Sequence, residues 1–486
     1  MTAKTTTKTK TAKKVFAGAK LRALRQNNQL TQSQMASRLG VSTSYVNQIE
    51  NNQRPLSAAL IISLVEEFNL NIPDLMDANT DRLLADLMEA LADPVFGENP
   101  PGLIELKSLT ANSPAFAHSM LSLYQAYKKT GEQLAGADDA IRAGSGDAMQ
   151  TPYEEVRDFF HYSDNYIDEL DRAAEKLALE LDGSTYDYGT NLDRLSRLSD
   201  YLQRTHDAKI TYITPQKPEM MRFFESSSRT LFLNERLNPS TWYFQIANQL
   251  ALMEHKTCIS QILDKGSFKT REARNICRIG LANYFAGALI LPYGAFNLAA
   301  KQQKYDLEQL ARRFGASLEQ VAHRLSNMQR PGERGVPFFF ARVDAAGTIT
   351  KRHSATPLQF ARFGGACPLW NVHSAFEASG QIIRQLAQTP DNNRYLCLAW
   401  SQEKRLGGYG GPTRRYAYAL GCEISHADKL IYANGLDLPA NAKFDPIGIS
   451  CRTCERRNCF QRSVPPIAAQ ISISKDTRSI IPYEIS

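Results

Sequence analysis

Three cysteines near the C terminus carry the most explicit chemistry in this 486-residue chain. Cys451, Cys454 and Cys459, in PIGISCRTCERRNCFQR, follow a C-x2-C-x4-C spacing. A two-residue spacer lets two thiolates of one turn point at a common metal centre. Cys422, in GCEI, is the expected fourth ligand, and Cys367, in GGACPLW, is the alternative. Four thiolates suit zinc or an iron–sulfur cluster, and the spacing does not choose between them. Arg452, Arg456 and Arg457 stand beside the motif and would favour thiolates and an anionic cluster.

A second stretch has the outline of a metal site without the ligands. In WYFQIANQLALMEH, Trp242 to His255, Ile246, Leu250 and Met253 recur at helical spacing and predict a helix with one buried face. Short alternating strands, KITYIT and RTLFLN, precede it. LANYFAGALILPYGAF and YDLEQLARRFGASLEQVAHRLSNMQ follow it. This order, with Phe244, Ala247, Leu250, Ala282, Phe285, Ala286, Leu289, Ile290 and Pro292 in place, resembles the zinc peptidases of the immunity-repressor-cleaving (ImmA/IrrE) type. Zinc hydrolysis needs two His one helical turn apart, a Glu base and a third ligand. The resemblance puts Asn248 and Leu252 at the His positions, Gln249 at the Glu and Leu281 at the third ligand. None of the four can do the required chemistry, so no proteolysis is expected, and His255 alone does not restore it. Such a cleft serves as scaffold or accepts a small molecule, with Asn248, Gln249, Tyr284 and Tyr293 as candidate lining residues.

The elements that position a third chemistry, base recognition, lie in the first seventy residues. Phe16 to Gln26 reads as a first helix. Thr31 caps a second through Leu39, Gly40 stops it, and Ser42 caps a third carrying Tyr45, Val46 and Ile49. Ser57 opens a fourth with Leu60, Leu64 and Phe68 inward, and IPDLM reads as a short fifth. Helix, glycine turn, helix is the helix-turn-helix geometry. The stretch resembles DNA-binding domains of the phage-repressor and xenobiotic-response-element type. That resemblance makes Thr43, Ser44 and Asn47 the base-edge readers and sets Gln32 and Arg54 near phosphates, with Gln48 able to contact either. One head grips few phosphates, so a homodimer or higher homo-oligomer on a palindromic operator is expected.

The bulk numbers agree with a chain of several domains. Hydrophobic content of 43%, charge of 22% and a net charge of +7 are those of a soluble globular protein. Lys4, Lys8, Lys10, Lys13 and Lys14 form a basic opening tail with no apolar core behind it, which excludes a secretory signal. No apolar run is long enough to span a bilayer. A cytoplasmic location and no membrane partner are expected, and structural disulfides are not.

The expected fold class is multidomain. A mainly α N-terminal part, a five-helix head plus a helical linker, precedes α+β zincin-like and C-terminal α+β sensor domains. The boundaries read as a tail over 1–15, the head over 16–78, a helical linker or dimerisation region over 79–182, the degenerate peptidase-like domain over 183–336 and the cysteine domain over 337–486. PYEEVRDFFHYSDNYIDELDRAAEKLALEL reads as one long helix for dimer contact or for packing. FFFARVDAAGTITKR reads as a hairpin, RYLCLAWS and RRYAYALGCEI as strands, and GGYGGP as a loop.

The order of head, degenerate peptidase domain, ACPLWNVHSAF, ALGCEI and PIGISCRTCERRNCFQR resembles the bacterial short-chain fatty-acyl-CoA-responsive regulators over nearly the whole chain. The resemblance implies transcriptional control of short-chain acyl-CoA, propionate or glyoxylate metabolism, an acyl-CoA effector and an iron–sulfur cluster, with zinc as the alternative. Two rivals make other predictions. An active metallopeptidase needs His and Glu where Asn248, Gln249 and Leu252 stand. An antitoxin-like interaction protein predicts no effect of acyl-CoA on DNA affinity.

Overall fold

The protein is described from a computed structural model that places residues 18–28, 30–50, 54, 60, 63–64, 67–68, 83–84, 87–88, 90–91, 94–97, 101–124, 126–127, 151–182, 191–217, 219–358, 365–405, 411, 413–436, 442–451, 454, 456–466 and 470–485. The basic tail, the IPDLM helix, the linker before Thr151 and most of the GGYGGP loop lie outside them. The chain divides into two compact units, Met1–Glu132 and Gln133–Ser486.

In the first unit, α1 (Gly18–Asn27), α2 (Gln32–Arg38) and α3 (Thr43–Glu50) enclose Leu21, Met35, Leu39 and Ile49. Leu60, Leu64 and Phe68 close the same core, as their spacing predicts. Beyond it, α4 (Leu103–Asn112) ends at Ser113, within TANSPAF, before residues 114–124 resume as helix.

The stretch read as one long helix is two in the second unit, α5 (Pro152–Tyr162) and α6 (Asp168–Asp182). The break is local. Asp164 and Asn165 take φ of 51° and 54°, the left-handed region that Asp and Asn tolerate better than most side chains. Buried Leu170, Ala174, Leu177 and Ala178 then seat α6 in the main core. α7 (Asn191–His206) leads to β1 (Lys209–Ile213), β2 (Arg222–Glu225) and β3 (Thr230–Asn234), a sheet of order β1-β3-β2. β2 was not legible in the sequence. It is short, and MMRFFE does not alternate.

Six helices follow: α8 (Pro239–Glu254), α9 (Lys256–Lys265), α10 (Arg271–Ile290), α11 (Tyr293–Gln302), α12 (Leu307–Phe314) and α13 (Leu318–Ser326). α10 runs through the core between α6 and α8. Among the described residues no single helix is long and apolar enough to cross a membrane; α10 and α11 pass that test only as a pair bent by 57°.

The C-terminal part is a sheet of order β5-β4-β8-β7-β6-β9, from β4 (Phe339–Asp344), β5 (Ile349–Ser354), β6 (Ile383–Gln388), β7 (Arg394–Arg405), β8 (Thr413–Glu423) and β9 (Asp445–Pro446). The predicted hairpin is β4–β5, and the two predicted strands are β7 and β8. Alternation sorts their side chains between two cores. Phe340, Leu398, Trp400, Tyr418 and Leu420 join the helical core, whereas Phe339, Ala341, Cys397, Ala399 and Ala419 meet Trp370, Val372 and Ala375 on the other face. A buried charge cluster ties helices together. Asp171 accepts from Arg324 at 2.6 Å, Arg330 at 3.0 Å and the Tyr284 hydroxyl at 2.7 Å.

Candidate functional site: a helix-turn-helix surface, a guanidinium-filled frame and a cysteine cavity

The head is shaped by its caps. The Gln34 backbone N–H donates to Thr31 Oγ1 at 3.2 Å, and the Thr31 N–H donates to Gln34 Oε1 at 2.8 Å, a reciprocal box that starts α2. Gly40 then takes φ of 65°, where a side chain would be strained, and turns the chain toward α3. The Tyr45 N–H donates to Ser42 Oγ at 3.2 Å. Val46 and Ile49 face the core, leaving Thr43, Ser44 and Asn47 on the exposed side and Gln48 half-buried. Arg54 is exposed, with its guanidinium 5.9 Å from the Tyr45 ring centre.

Gln32 is turned inward. Its Nε2 donates to Glu50 Oε2 at 2.8 Å, and Arg25 grips the same carboxylate at 2.6 and 3.1 Å. Burial alone would raise the Glu50 carboxyl. Hydrogen bonds from Arg25 and Gln32, with the charges of Arg25 and Arg22, outweigh it and hold the group below the usual range. The end of α3 is thereby pinned to α1 and α2.

In the peptidase-like frame, Asn248 and Gln249 are buried on α8, Leu252 is half-buried and Leu281 is buried on α10. A cation reaches the first two, supplied by the chain itself. Arg222, on β2, donates through Nη2 to Asn248 Oδ1 at 2.5 Å and through Nη1 to Gln249 Oε1. Asn248 Nδ2 donates onward to Asn283 Oδ1 at 2.7 Å. Burial lowers the Arg222 pKa from its ordinary value. Nothing in the sequence pointed to Arg222, because its strand was not legible. Tyr284 and Tyr293 do not join Asn248 and Gln249 around a cleft. The Tyr284 hydroxyl is spent on Asp171, and that of Tyr293 donates to the Glu333 carbonyl at 3.1 Å and accepts from the Arg330 N–H at 2.9 Å. A separate shallow cleft lies between Arg194, Ser240, Tyr243 and Ile290, with the Arg194 guanidinium 4.8 Å from the Tyr243 ring centre.

The cysteines settle around one cavity at the β6–β9 edge. Cys367, Cys451, Cys454 and Cys459 line one small, partly open cavity, together with Gly448 and Arg462. Cys422 is elsewhere. It alternates with Gly421 on β8 and so points into the helical core, while Cys367 packs on the opposite face of the sheet. Burial pushes the Cys422 thiol up to about 12. Cys367, the alternative fourth ligand, thus lies with the three motif cysteines, and Cys422, the expected one, lies away from them. Backbone N–H groups of Gly448 and Leu369 donate to the Cys367 sulfur, although burial still raises its pKa.

Two residues that sequence reasoning missed shape this cavity. A Cβ on Gly448 would stand 3.0 Å from Cys454 Sγ. The buried Arg462 guanidinium donates to the carbonyls of Cys451 at 3.2 Å, Cys454 at 3.4 Å and Arg456. Arg456 itself donates to the Gln388 carbonyl at 2.6 Å, anchoring the loop to β6. A glycine three residues before the first cysteine and an arginine three after the last were the only signals. The thiols are spread around the cavity: among the described residues no three Cys, His, Asp or Glu side chains are grouped closely enough to hold one metal ion.

Comparison with known proteins agrees with this three-part construction. A helix-turn-helix model matches residues 21–75, an IrrE N-terminal-like domain residues 204–326, and the C-terminal model of the short-chain fatty acyl coenzyme A regulators residues 327–483. The chain is 50% identical to a propionyl-CoA carboxylase regulator of Cereibacter sphaeroides over 98% of its own length and 99% of the relative's. It is 38% identical to the transcriptional regulator PrpR of Mycobacterium tuberculosis over 98% and 96% of the two chains. A solved Mycobacterium tuberculosis transcriptional regulator matches with a TM-score of 0.65 and 41% identity, covering 69% of this chain and 99% of the other. A helix-turn-helix head, an IrrE-like middle and this C-terminal module, shared end to end with such relatives, place the chain in the short-chain fatty acyl coenzyme A regulator family.

Proposed function

We propose that the chain is a homo-oligomeric transcriptional regulator that reads its operator through α3 and answers to a short-chain acyl-CoA. The observation that carries the DNA part is the exposed side of α3. Thr43, Ser44 and Asn47 stand outward on a helix whose other side is buried and whose end is pinned through Glu50. Asn is suited to a bidentate contact with adenine, and short hydroxyls to either base or phosphate. Gln32 serves the head as a brace, and Arg54 is the phosphate contact. The likeness to a propionyl-CoA carboxylase regulator supports the acyl-CoA part. Such an effector must bind one of two states of the protein more tightly, or it shifts nothing.

Cys367, Cys451, Cys454 and Cys459 would hold an iron–sulfur cluster. Four thiols spread around one cavity, the Gly448 cradle and the nearby guanidinium groups of Arg456 and Arg462 suit a multi-atom anionic group better than a single zinc ion. When bound, the cluster would cross-link the cysteine loop to the sheet and make that link sensitive to redox state. The peptidase-like middle is assigned no hydrolysis, since Gln249 is no base and Leu252 no ligand.

The deciding experiment pairs footprinting with an acyl-CoA series on the full chain. Asn47→Ala is expected to lose the protected operator sequence while keeping the wild-type thermal midpoint, and propionyl-CoA is expected to raise that midpoint. An unchanged footprint would remove α3 as the reader, and a flat response across short-chain acyl-CoAs would remove the effector.

A further inference from the structure

β7 and β8 outrun their neighbours. They pair with each other as far as Arg405 and Thr413, but β6 leaves β7 after Ala399 and β4 leaves β8 at Tyr416. The last three pairs form a two-stranded ribbon clear of both adjacent strands, about 10 Å long at roughly 3.3 Å per residue. Its six residues are Glu403, Lys404 and Arg405 facing Arg415, Arg414 and Thr413, and all are exposed. Four cations thus stand against one carboxylate. Arg415 pairs with Glu403 at 3.0 Å and Lys404 with Glu319 of α13, whereas no ion pair involves Arg405 or Arg414 among the described residues.

This arrangement opposes the ribbon's own stability. Lys404 and Arg414 are direct cross-strand partners, and like charges so placed are destabilising. Guarding the two outer edges that β6 and β4 leave unpaired asks for charge of either sign, and so does not account for four cations against one carboxylate. With no apolar side chain to bury, the ribbon has nothing to offer an ordinary protein surface. A duplex brings a dense row of phosphates, and its major groove admits a two-stranded ribbon.

We infer that the β7–β8 ribbon is a second DNA contact of this protein, one that takes duplex phosphates without reading sequence. The inference rests on the chain's being a DNA-binding regulator and adds a surface outside the head. Alternation puts Arg414 on one face of the ribbon and Arg405 on the other, so a ribbon lying in a groove presents one such guanidinium to each side, while Lys404 is held by Glu319 and Arg415 by Glu403 and the Phe376 carbonyl.

The test uses the full chain and two duplexes of equal length, one carrying the footprinted operator and one scrambled. Affinity is followed from about 50 to 200 mM salt, where each neutralised phosphate contributes about 0.9 to the logarithmic slope. The double variant Arg405→Ala, Arg414→Ala is expected to flatten the slope by about 1.8 per bound protomer on both duplexes, with the operator preference retained. Arg405→Lys with Arg414→Lys is expected to keep the wild-type slope. Asn47→Ala is expected to do the reverse of the alanine pair, losing the operator preference and keeping the slope on the scrambled duplex. An unchanged slope in the alanine variant overturns the ribbon and leaves the head intact as reader. A wild-type chain that binds neither duplex overturns the DNA reading, and the ribbon with it. Weakened propionyl-CoA binding with an unchanged slope gives the ribbon to the effector's phosphates, and the inference fails.

Discussion

Replacing Glu50 by alanine tests whether the head is held by one buried carboxylate. The side chain has no solvent exposure and receives Arg25 Nε at 2.6 Å, Arg25 Nη2 at 3.1 Å and Gln32 Nε2 at 2.8 Å. Arg25, with 16% of its side chain exposed, keeps only a bond to the Leu30 carbonyl at 3.1 Å. Removing one partner of a buried pair costs about 3–5 kcal/mol. The remaining Leu30 bond and the partial exposure of Arg25 favour the lower end, about 3 kcal/mol. In a domain of this size 1 kcal/mol moves the midpoint by about 4–8 °C, so the head should melt roughly 12–24 °C earlier. The readout is hydrogen exchange at the amides of α1 to α3 in the full chain, followed with temperature, alongside operator affinity. Both should fall together while amides of α8 and α10 keep their protection. A loss below about 1 kcal/mol, or one shared equally by α8 and α10, would refute the view that this carboxylate is the head's own fastener.

Acid should loosen the same fastener. Because folding holds the Glu50 carboxyl below its ordinary value, the stability it supplies is present above that ordinary value and drains away as pH falls through the lowered folded one. Glu50→Gln should remove this component, seen as a flatter acid limb in head-specific exchange. At the cysteine cavity, Cys367→Ser is expected to abolish the visible absorbance of anaerobically purified protein and Cys422→Ser to leave it; the opposite pair of results would restore Cys422 as ligand. Arg222→Ala should destabilise the second unit by about 1–3 kcal/mol for each amide oxygen left without its donor, measured by calorimetry, and a neutral result would show that water replaces the guanidinium without cost.

How much could be read from the chain alone follows from how local each signal is. The head was legible because caps, glycine turn and apolar spacing act within a few residues; Thr31, Gly40 and Ser42 do what their types dictate. The strands β7 and β8 were legible by alternation. The break between α5 and α6 was not, since apolar spacing runs across it and two successive left-handed residues leave little mark in composition. The positions of Cys367 and Cys422 depended on which face of the sheet Cys422 takes and which face the Cys367 segment packs against, and neither is fixed by distance along the chain. Gln32, Tyr284 and Tyr293 were polar residues with apparent freedom. Their partners, Glu50, Asp171 and Glu333, lie 18, 113 and 40 residues away.

Arg222 makes the middle of the protein hard to turn into a metal site by single substitutions. A chain that had merely lost its zinc ligands would stand a few substitutions from an active hydrolase. Here the vacancy is filled from a different strand by a fixed positive charge that has its own partners. Asn248→His alone would cost Arg222 an acceptor and gain no ion, and Gln249→Glu alone would tighten the guanidinium's hold and bar a dication more firmly. A zinc site here would require Asn248, Gln249, Leu252 and Leu281 to change and Arg222 to leave. The guanidinium thus works as a plug: restoring ligands one at a time would leave a fixed positive charge between them and any dication.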